Sequence, residues 1–175
     1  MDPELKEALD KARKLELDGI EFYTKAAQRC GVPSGKRMFE SFAGDERRHL
    51  TIIGEVAQGL GVDVEKMPMP RDEMRTLFSD AEVQIGEDTE ASADEEEAVR
   101  IAMGMETESY RLYKGAAEKA RDDVTRRLFE RLAREENQHY EMLENTLEYL
   151  SDNQKWFLSK EWALIVGDQS SLGLE

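Results

Sequence analysis

The chain is predicted to be all-α, a four-helix bundle with a long crossover between the second and third helices and a short C-terminal helix. Three observations carry this. Apolar residues recur at three- and four-residue steps over four long stretches, the mark of one buried face on each of four helices. The only prolines stand at 3, 33, 68 and 70 and interrupt none of those stretches. The second half also repeats the first with a shift of 90 residues and no gap.

Helix 1 is expected over about 3–30, where Leu5, Leu9, Ala12, Leu15, Gly19, Phe22, Tyr23, Ala26 and Ala27 share a face; Gly31 and Pro33 end it. Ser34 is the expected N-cap of helix 2, about 34–60, whose stripe runs through Phe39, Phe42, Ala43, Leu50, Ile53, Val56, Ala57 and Leu60. Residues 61–92 lose the pattern and read as the crossover, with one short helix expected near 71–79. Helix 3, about 93–120, repeats the first stripe in Ala98, Ala102, Tyr113, Ala116, Ala117 and Ala120. Helix 4, about 123–151, repeats the second in Phe129, Leu132, Ala133, Leu143, Leu147 and Leu150. In the tail, 152–175, a short helix would pack Trp156, Phe157 and Trp162 on the bundle. All 175 residues are expected to form one domain.

Composition narrows the function classes. Asp and Glu number 39 against 24 Lys and Arg, and a net charge of −15 repels phosphate backbones and anionic lipid surfaces, so no nucleic-acid or membrane partner is expected. One cysteine, Cys30, excludes an intrachain disulfide framework and a four-cysteine metal site and fits a reducing, cytoplasmic setting. Its expected role is that of a small buried hydrophobe. The N-terminus is charged throughout, and the longest apolar run is Trp162–Val166, so neither export nor a membrane span is expected.

The duplication places chemistry as well as packing. MFESFAGDERRHL, from Met38, aligns with LFERLAREENQHY, from Leu128, setting Glu46 and His49 on Glu136 and His139. In the other helix pair Glu16 falls on Glu106 and Tyr23 on Tyr113. Glu16, Glu46, His49, Glu106, Glu136 and His139 all occupy positions where the stripes call for apolar residues. Burying carboxylates without compensation costs several kcal/mol each, so something must neutralise them. Glu-x-x-His sets a carboxylate and an imidazole one turn apart on one face, and two such helices plus an inward Glu from each of the other two form the ligand set of di-iron and di-manganese carboxylate bundles. Four carboxylates balance two divalent ions, and ligands of oxygen and nitrogen without thiolate suit iron or manganese. Buried ion pairs in a purely structural helical module are the bland alternative.

The weaker signals are read as follows. Tyr23 and Tyr113 lie two turns from Glu16 and Glu106 on the same face, where a phenol can hydrogen-bond a ligand carboxylate or serve as ordinary core. Gly19, Gly44, Gly54, Gly104 and Gly115 each cost a helix about 1 kcal/mol, for which close helix contact, a small-molecule path or simple tolerance would account. Met103 and Met105 are read as core filling.

At this point the chain resembles the rubrerythrin and erythrin-type proteins of the ferritin-like superfamily. The resemblance covers roughly 5–150. It rests on Glu16 with Tyr23 seven residues on, GIEFYTKAA, DERRH, EENQH, and Glu106 with Tyr113 seven on. It implies a ferritin-like bundle in which those six residues ligate two iron ions, with manganese possible. The implied activity is reduction of hydrogen peroxide or dioxygen with electrons from a rubredoxin-like or flavoprotein donor. The alternative it implies is metal handling without peroxidase turnover: ferroxidase, storage, delivery or sensing. The chain departs from the family pattern twice. It has one cysteine where a rubredoxin domain has four, and Ser109 where a further Glu is expected three residues after Glu106. The crossover is long enough either to close within one chain or to exchange hairpins in a homodimer.

Overall fold

The structure, a computed structural model, describes residues 3–59, 70 and 93–153. Apart from Pro70, the expected crossover with its short helix lies outside the described residues, and so does the C-terminal helix with Trp156, Phe157 and Trp162. Four helices make up the bundle: α1 (Pro3–Arg29), α2 (Pro33–Ala57), α3 (Ala93–Lys119) and α4 (Asp123–Asn153). No strand occurs among the described residues. Neither is any of their helices long and apolar enough to cross a membrane.

The helix ends follow local chemistry and correct the sequence reading in two places. Pro33 is the first residue of α2, where its missing N–H and fixed φ cost nothing, so the cap position falls on Val32 and not on Ser34. At the other end Gly59 adopts φ 75°, a left-handed conformation open to glycine, and α2 stops at Ala57, three residues before the stripe runs out. Asp122 caps α4 by accepting the Thr125 N–H at 2.8 Å. Cys30 and Val32 in the first hairpin turn are buried, and Glu95 of α3 reaches this turn, accepting from the Gly31 N–H at 3.1 Å and from the Cys30 thiol at 3.2 Å. Burial pushes that thiol up to about 12, so Cys30 is the small buried group expected of it.

α1 pairs with α2 and α3 with α4, and the two hairpins meet along α1 and α3. Tyr23 reaches Glu106 while Tyr113 reaches Glu16, a reciprocity that makes α1 and α3 antiparallel. Asp45 reaches His139 and His49 reaches Glu135, so α2 and α4 are antiparallel as well. The 90-residue repeat is therefore realised as a pseudo-twofold axis. It also leaves α2 and α3 parallel, the arrangement that a long connection permits.

The core is split in two. At one end Tyr23, Met38, Phe39, Phe42, Val99, Met142 and Leu150 pack together; at the other, Leu9, Ile53, Tyr113, Leu128, Phe129 and Leu132. Their repeat mates (Tyr23 and Tyr113, Phe39 and Phe129, Phe42 and Leu132) sit in opposite ends, as the pseudo-twofold requires. Each large apolar side chain removed from water contributes about 1.5–3 kcal/mol, so the two ends supply the stability and leave a layer between them for polar groups.

Of the five helical glycines singled out by the sequence, only Gly19 has a packing reason. A Cβ there would stand 3.2 Å from Glu46 Cγ, whereas Gly44, Gly54, Gly104 and Gly115 face open space. Gly44→Ala and Gly104→Ala, both at exposed sites, should therefore each stabilise the fold by about 1 kcal/mol in urea denaturation. Gly19→Ala should yield less than either; an equal gain would deny Gly19 its role in seating Glu46.

Candidate metal centre

Between the two apolar ends, the bundle buries all six predicted residues. Glu16, Glu106, Glu136, His49 and His139 are each no more than 2% exposed, and Glu46 is 4%. Each helix contributes because its stripe carries an ionisable residue at mid-height, and the antiparallel pairing brings the four mid-heights to one level.

Ligand atoms gather in two overlapping groups: Glu16, Glu46, His49 and Glu136, and Glu46, Glu106, Glu136 and His139, the atoms of each lying within 4.8 Å of one another. Glu46 and Glu136 belong to both. His49 Nδ1 stands 3.0 Å from Glu136, 3.2 Å from Glu46 and 3.5 Å from Glu16. His139 Nδ1 stands 3.6 Å from Glu106 and 3.8 Å from both Glu46 and Glu136. Yet both Nδ1 atoms, both oxygens of Glu136 and Oε2 of Glu16 are buried and make no hydrogen bond. Buried polar atoms are almost always paired, and so many orphans converging on one spot fit a divalent cation held by oxygen and nitrogen donors.

Outer groups aim the imidazoles. Asp45 Oδ2 lies 2.9 Å from His139 Nε2, and Glu135 Oε2 lies 3.0 Å from His49 Nε2. Both carboxylates accept, so each Nε2 carries the proton and each Nδ1 is turned toward the cluster. Asp45 and Glu135 were not among the predicted site residues. They are repeat mates, buried as deeply as the ligand candidates, and each crosses to the histidine of the other hairpin. Replacing either by its amide should lower metal affinity about ten- to a hundred-fold in a competition titration with a chromophoric chelator. Unchanged affinity in Glu135→Gln would mean that the outer carboxylate does not orient the ring.

The tyrosines cross over too. Tyr23 donates to Glu106 Oε1 and Tyr113 to Glu16 Oε1, each bond tying the carboxylate of one hairpin to the phenol of the other. Burial raises the Tyr23 hydroxyl well above its usual range, with the Glu106 charge adding to it, so it remains a donor.

Electrostatics show how the cluster is neutralised in the absence of a cation. Burial, followed by repulsion from Glu46, raises the Glu16 carboxyl well above the usual range; burial and Glu136 push Glu106 up to about 8. Burial alone would lower both imidazoles, but Glu16 and Glu136 hold His49, and Glu106 holds His139, well above the ordinary value. Glu135 goes the other way: against its burial, His49, Arg131 and Arg48 hold it down to about 2. Protons thus occupy Glu16, Glu106 and the imidazoles, while Glu136, which Glu106 and the two histidines hold below the usual range against its burial, and the outer carboxylate Glu135 keep their charge.

A cavity of about 110 Å³ between α1 and α3 reaches the cluster, bordered by Gly19, Tyr23, Glu46, Glu106 and Ser109, with the exposed Asp18 and Glu108 at its edge. Gly19 and Ser109 are repeat mates, and both are small.

A family model described as Rubrerythrin matches residues 7–147. Comparison with curated proteins and with solved structures gives no match.

Proposed function

Since the chain belongs to the rubrerythrin family, we propose that it is a non-haem di-iron oxidoreductase that reduces hydrogen peroxide or dioxygen with electrons from an external donor. The observation that carries this reading is the pair of overlapping ligand groups sharing Glu46 and Glu136, whose buried Nδ1 and carboxylate oxygens have no other partner. Glu16 and His49 would hold one iron and Glu106 and His139 the other, with Glu46 and Glu136 common to both; manganese has the same donor preference. When bound, the metal pair supplies two electrons by passing from ferrous to ferric.

The chain's own residues do the rest. Asp45 and Glu135 hold the Nε2 protons, so each imidazole offers its Nδ1 inward. Tyr23 and Tyr113 donate to Glu106 and Glu16, offsetting negative charge on the two terminal carboxylates. The two apolar ends exclude bulk water, and the cavity beside Gly19 and Ser109 is large enough for a molecule the size of peroxide or dioxygen.

With one cysteine and no histidine beyond the two in the cluster, these 175 residues lack the thiolate and imidazole ligands of a second metal redox centre, and in this reading the electrons come from a rubredoxin-like or flavoprotein donor. The test is anaerobic mixing of ferrous-loaded protein with peroxide, followed by ferric absorbance. A single fast oxidation, about one equivalent per metal pair, followed by arrest until a donor is added, is the expected result. Repeated turnover without a donor, or no oxidation, would remove the reading.

Ser109 favours a second reading. A hydroxyl borders the cavity beside Glu106 where the family pattern has a further carboxylate, so the site has one charge fewer to follow a change of metal oxidation state. Iron or manganese handling without peroxidase turnover, as ferroxidase, store, carrier or sensor, accords with that loss. Metal stoichiometry separates storage, which requires many ions per chain, from the two-ion readings, and the peroxide reaction separates turnover from metal handling without it.

A further inference from the structure

The outer ring of the site is a continuous chain of hydrogen bonds that departs from the pseudo-twofold at its two arginines. Arg48 on α2 donates from one guanidinium nitrogen to Asp45 Oδ1 and from the other to Glu135 Oε2 at 2.9 Å. Asp45 uses its second oxygen on His139, and the same Glu135 oxygen that meets Arg48 also meets His49. Reading across, His139, Asp45, Arg48, Glu135 and His49 form one path from imidazole to imidazole, passing between α4 and α2 three times. Arg131 steadies Glu135 from its own helix at 2.6 Å.

Neither arginine obeys the repeat. The position 90 residues after Arg48 is Gln138, and the position 90 before Arg131 is Ser41. The duplication, which conserves the inner residues and both outer acids, is thus set aside here for a side chain able to grip two carboxylates at once. Gln138 does not do so; its buried Oε1 makes no hydrogen bond. A planar guanidinium with five donors can engage two carboxylates in fixed directions, which neither an amide nor an ammonium can do. With its side chain 22% exposed, between two carboxylates of at most 1% exposure, Arg48 also supplies the positive charge that lets two acids lie side by side.

We propose that Arg48 is a positioning residue that locks Asp45 and Glu135 together and, through them, sets both imidazoles, so that the two ends of the cluster bind metal as one unit. The inference rests on the reading of the six inner residues as a two-metal site. Without Arg48, each outer acid is left to orient its histidine independently.

Titration of metal-free protein with cobalt(II) under anaerobic conditions, followed by absorbance and calorimetry, tests this. Wild-type protein should bind two ions in one steep transition. Arg48→Gln, which restores the repeat residue, should weaken both ions by about ten- to a hundred-fold and split the transition into two steps. Arg48→Lys, keeping charge but losing the fork, should recover charge-dependent stability without restoring the single step. In a double-mutant cycle, Asp45→Asn should cost less in the Arg48→Gln background than in wild type. Folding of each variant is checked by far-ultraviolet circular dichroism, and Arg48→Lys keeps the test informative if Arg48→Gln fails to fold. Wild type binding no cobalt would sink the two-metal reading itself. Wild type binding two ions while both Arg48 variants bind them with the same affinity and steepness, or fully additive costs in the cycle, would overturn the role of Arg48 alone.

Discussion

Replacing His49 and His139 together by alanine is expected to lower bound metal from two ions per chain to well under one at micromolar free metal. The two imidazoles are the only nitrogen donors in the two ligand groups, and each stands at the end of one group. Since loss of an outer partner alone costs about ten- to a hundred-fold in affinity, loss of both ligands should exceed about a hundred-fold. What remains is four carboxylates, which still attract cations but without the donors that fix their positions. The double variant should also be destabilised without metal. Asp45 and Glu135 would lose the N–H groups they accept from, and Phe42 would lose the ring whose centroid lies 4.5 Å from its own. A hydrogen bond to a charged group is worth about 1.5–3 kcal/mol, and Arg48 still partners both carboxylates, so the loss is of one such bond at each. Elemental analysis after dialysis, with thermal melts of the metal-free forms, reads both effects. Two ions retained by the double variant would end the six-residue assignment.

Much of the bundle and the inner cluster could be read from the chain because two periodicities coincide. The 3.6-residue stripe shows which face is inward, and the 90-residue repeat shows that an inward Glu16 or His49 has a mate, Glu106 or His139, in the same phase. What the sequence reading missed depends on partners from another helix. Asp45 and Glu135 precede the Glu of each Glu-x-x-His by one residue, about 100° off its direction, and so read as ordinary surface charge in an acidic helix. Their signal was present: each lies four residues before a histidine, and they are acidic repeat mates. No periodicity could show that each serves the opposite hairpin's histidine. The tyrosines show the same limit. Tyr23 lies about 10 Å along α1 from Glu16, too far to bond it, and only the antiparallel seating of α3 brings Glu106 to its hydroxyl. The end of α2 was misjudged for a local reason, since the left-handed Gly59 halts the helix while the apolar stripe still points to Leu60.

Protein stripped of metal should be most stable near pH 5–6 and should lose stability as the pH climbs toward 8, whereas the metal-loaded form should gain relative to it over the same range. Glu106, raised to about 8 chiefly by burial and then by Glu136, holds its proton more tightly in the folded chain than in the unfolded one. Its contribution is complete below the unfolded value of 4.5 and disappears as the pH rises through about 8. Glu16 is raised in the same sense, and His49 and His139, raised above 6.5 by the carboxylates facing them, lose their contribution above that value. Glu135, depressed to about 2, acts oppositely: it stabilises above 4.5 and its contribution is lost as the pH falls toward 2, which sets the acid limb. A divalent cation takes the place of the protons on imidazole and carboxyl, so binding releases protons and strengthens as the pH rises. Differential scanning calorimetry at pH 5, 6.5 and 8, with chelator and with metal, should show melting temperatures of the two forms diverging with pH. Calorimetric titration in two buffers of different ionisation enthalpy should show proton release on binding. A metal-free melting temperature that rises from pH 5 to pH 8, or binding heats independent of buffer, would mean that protons do not hold the cluster together in the absence of metal.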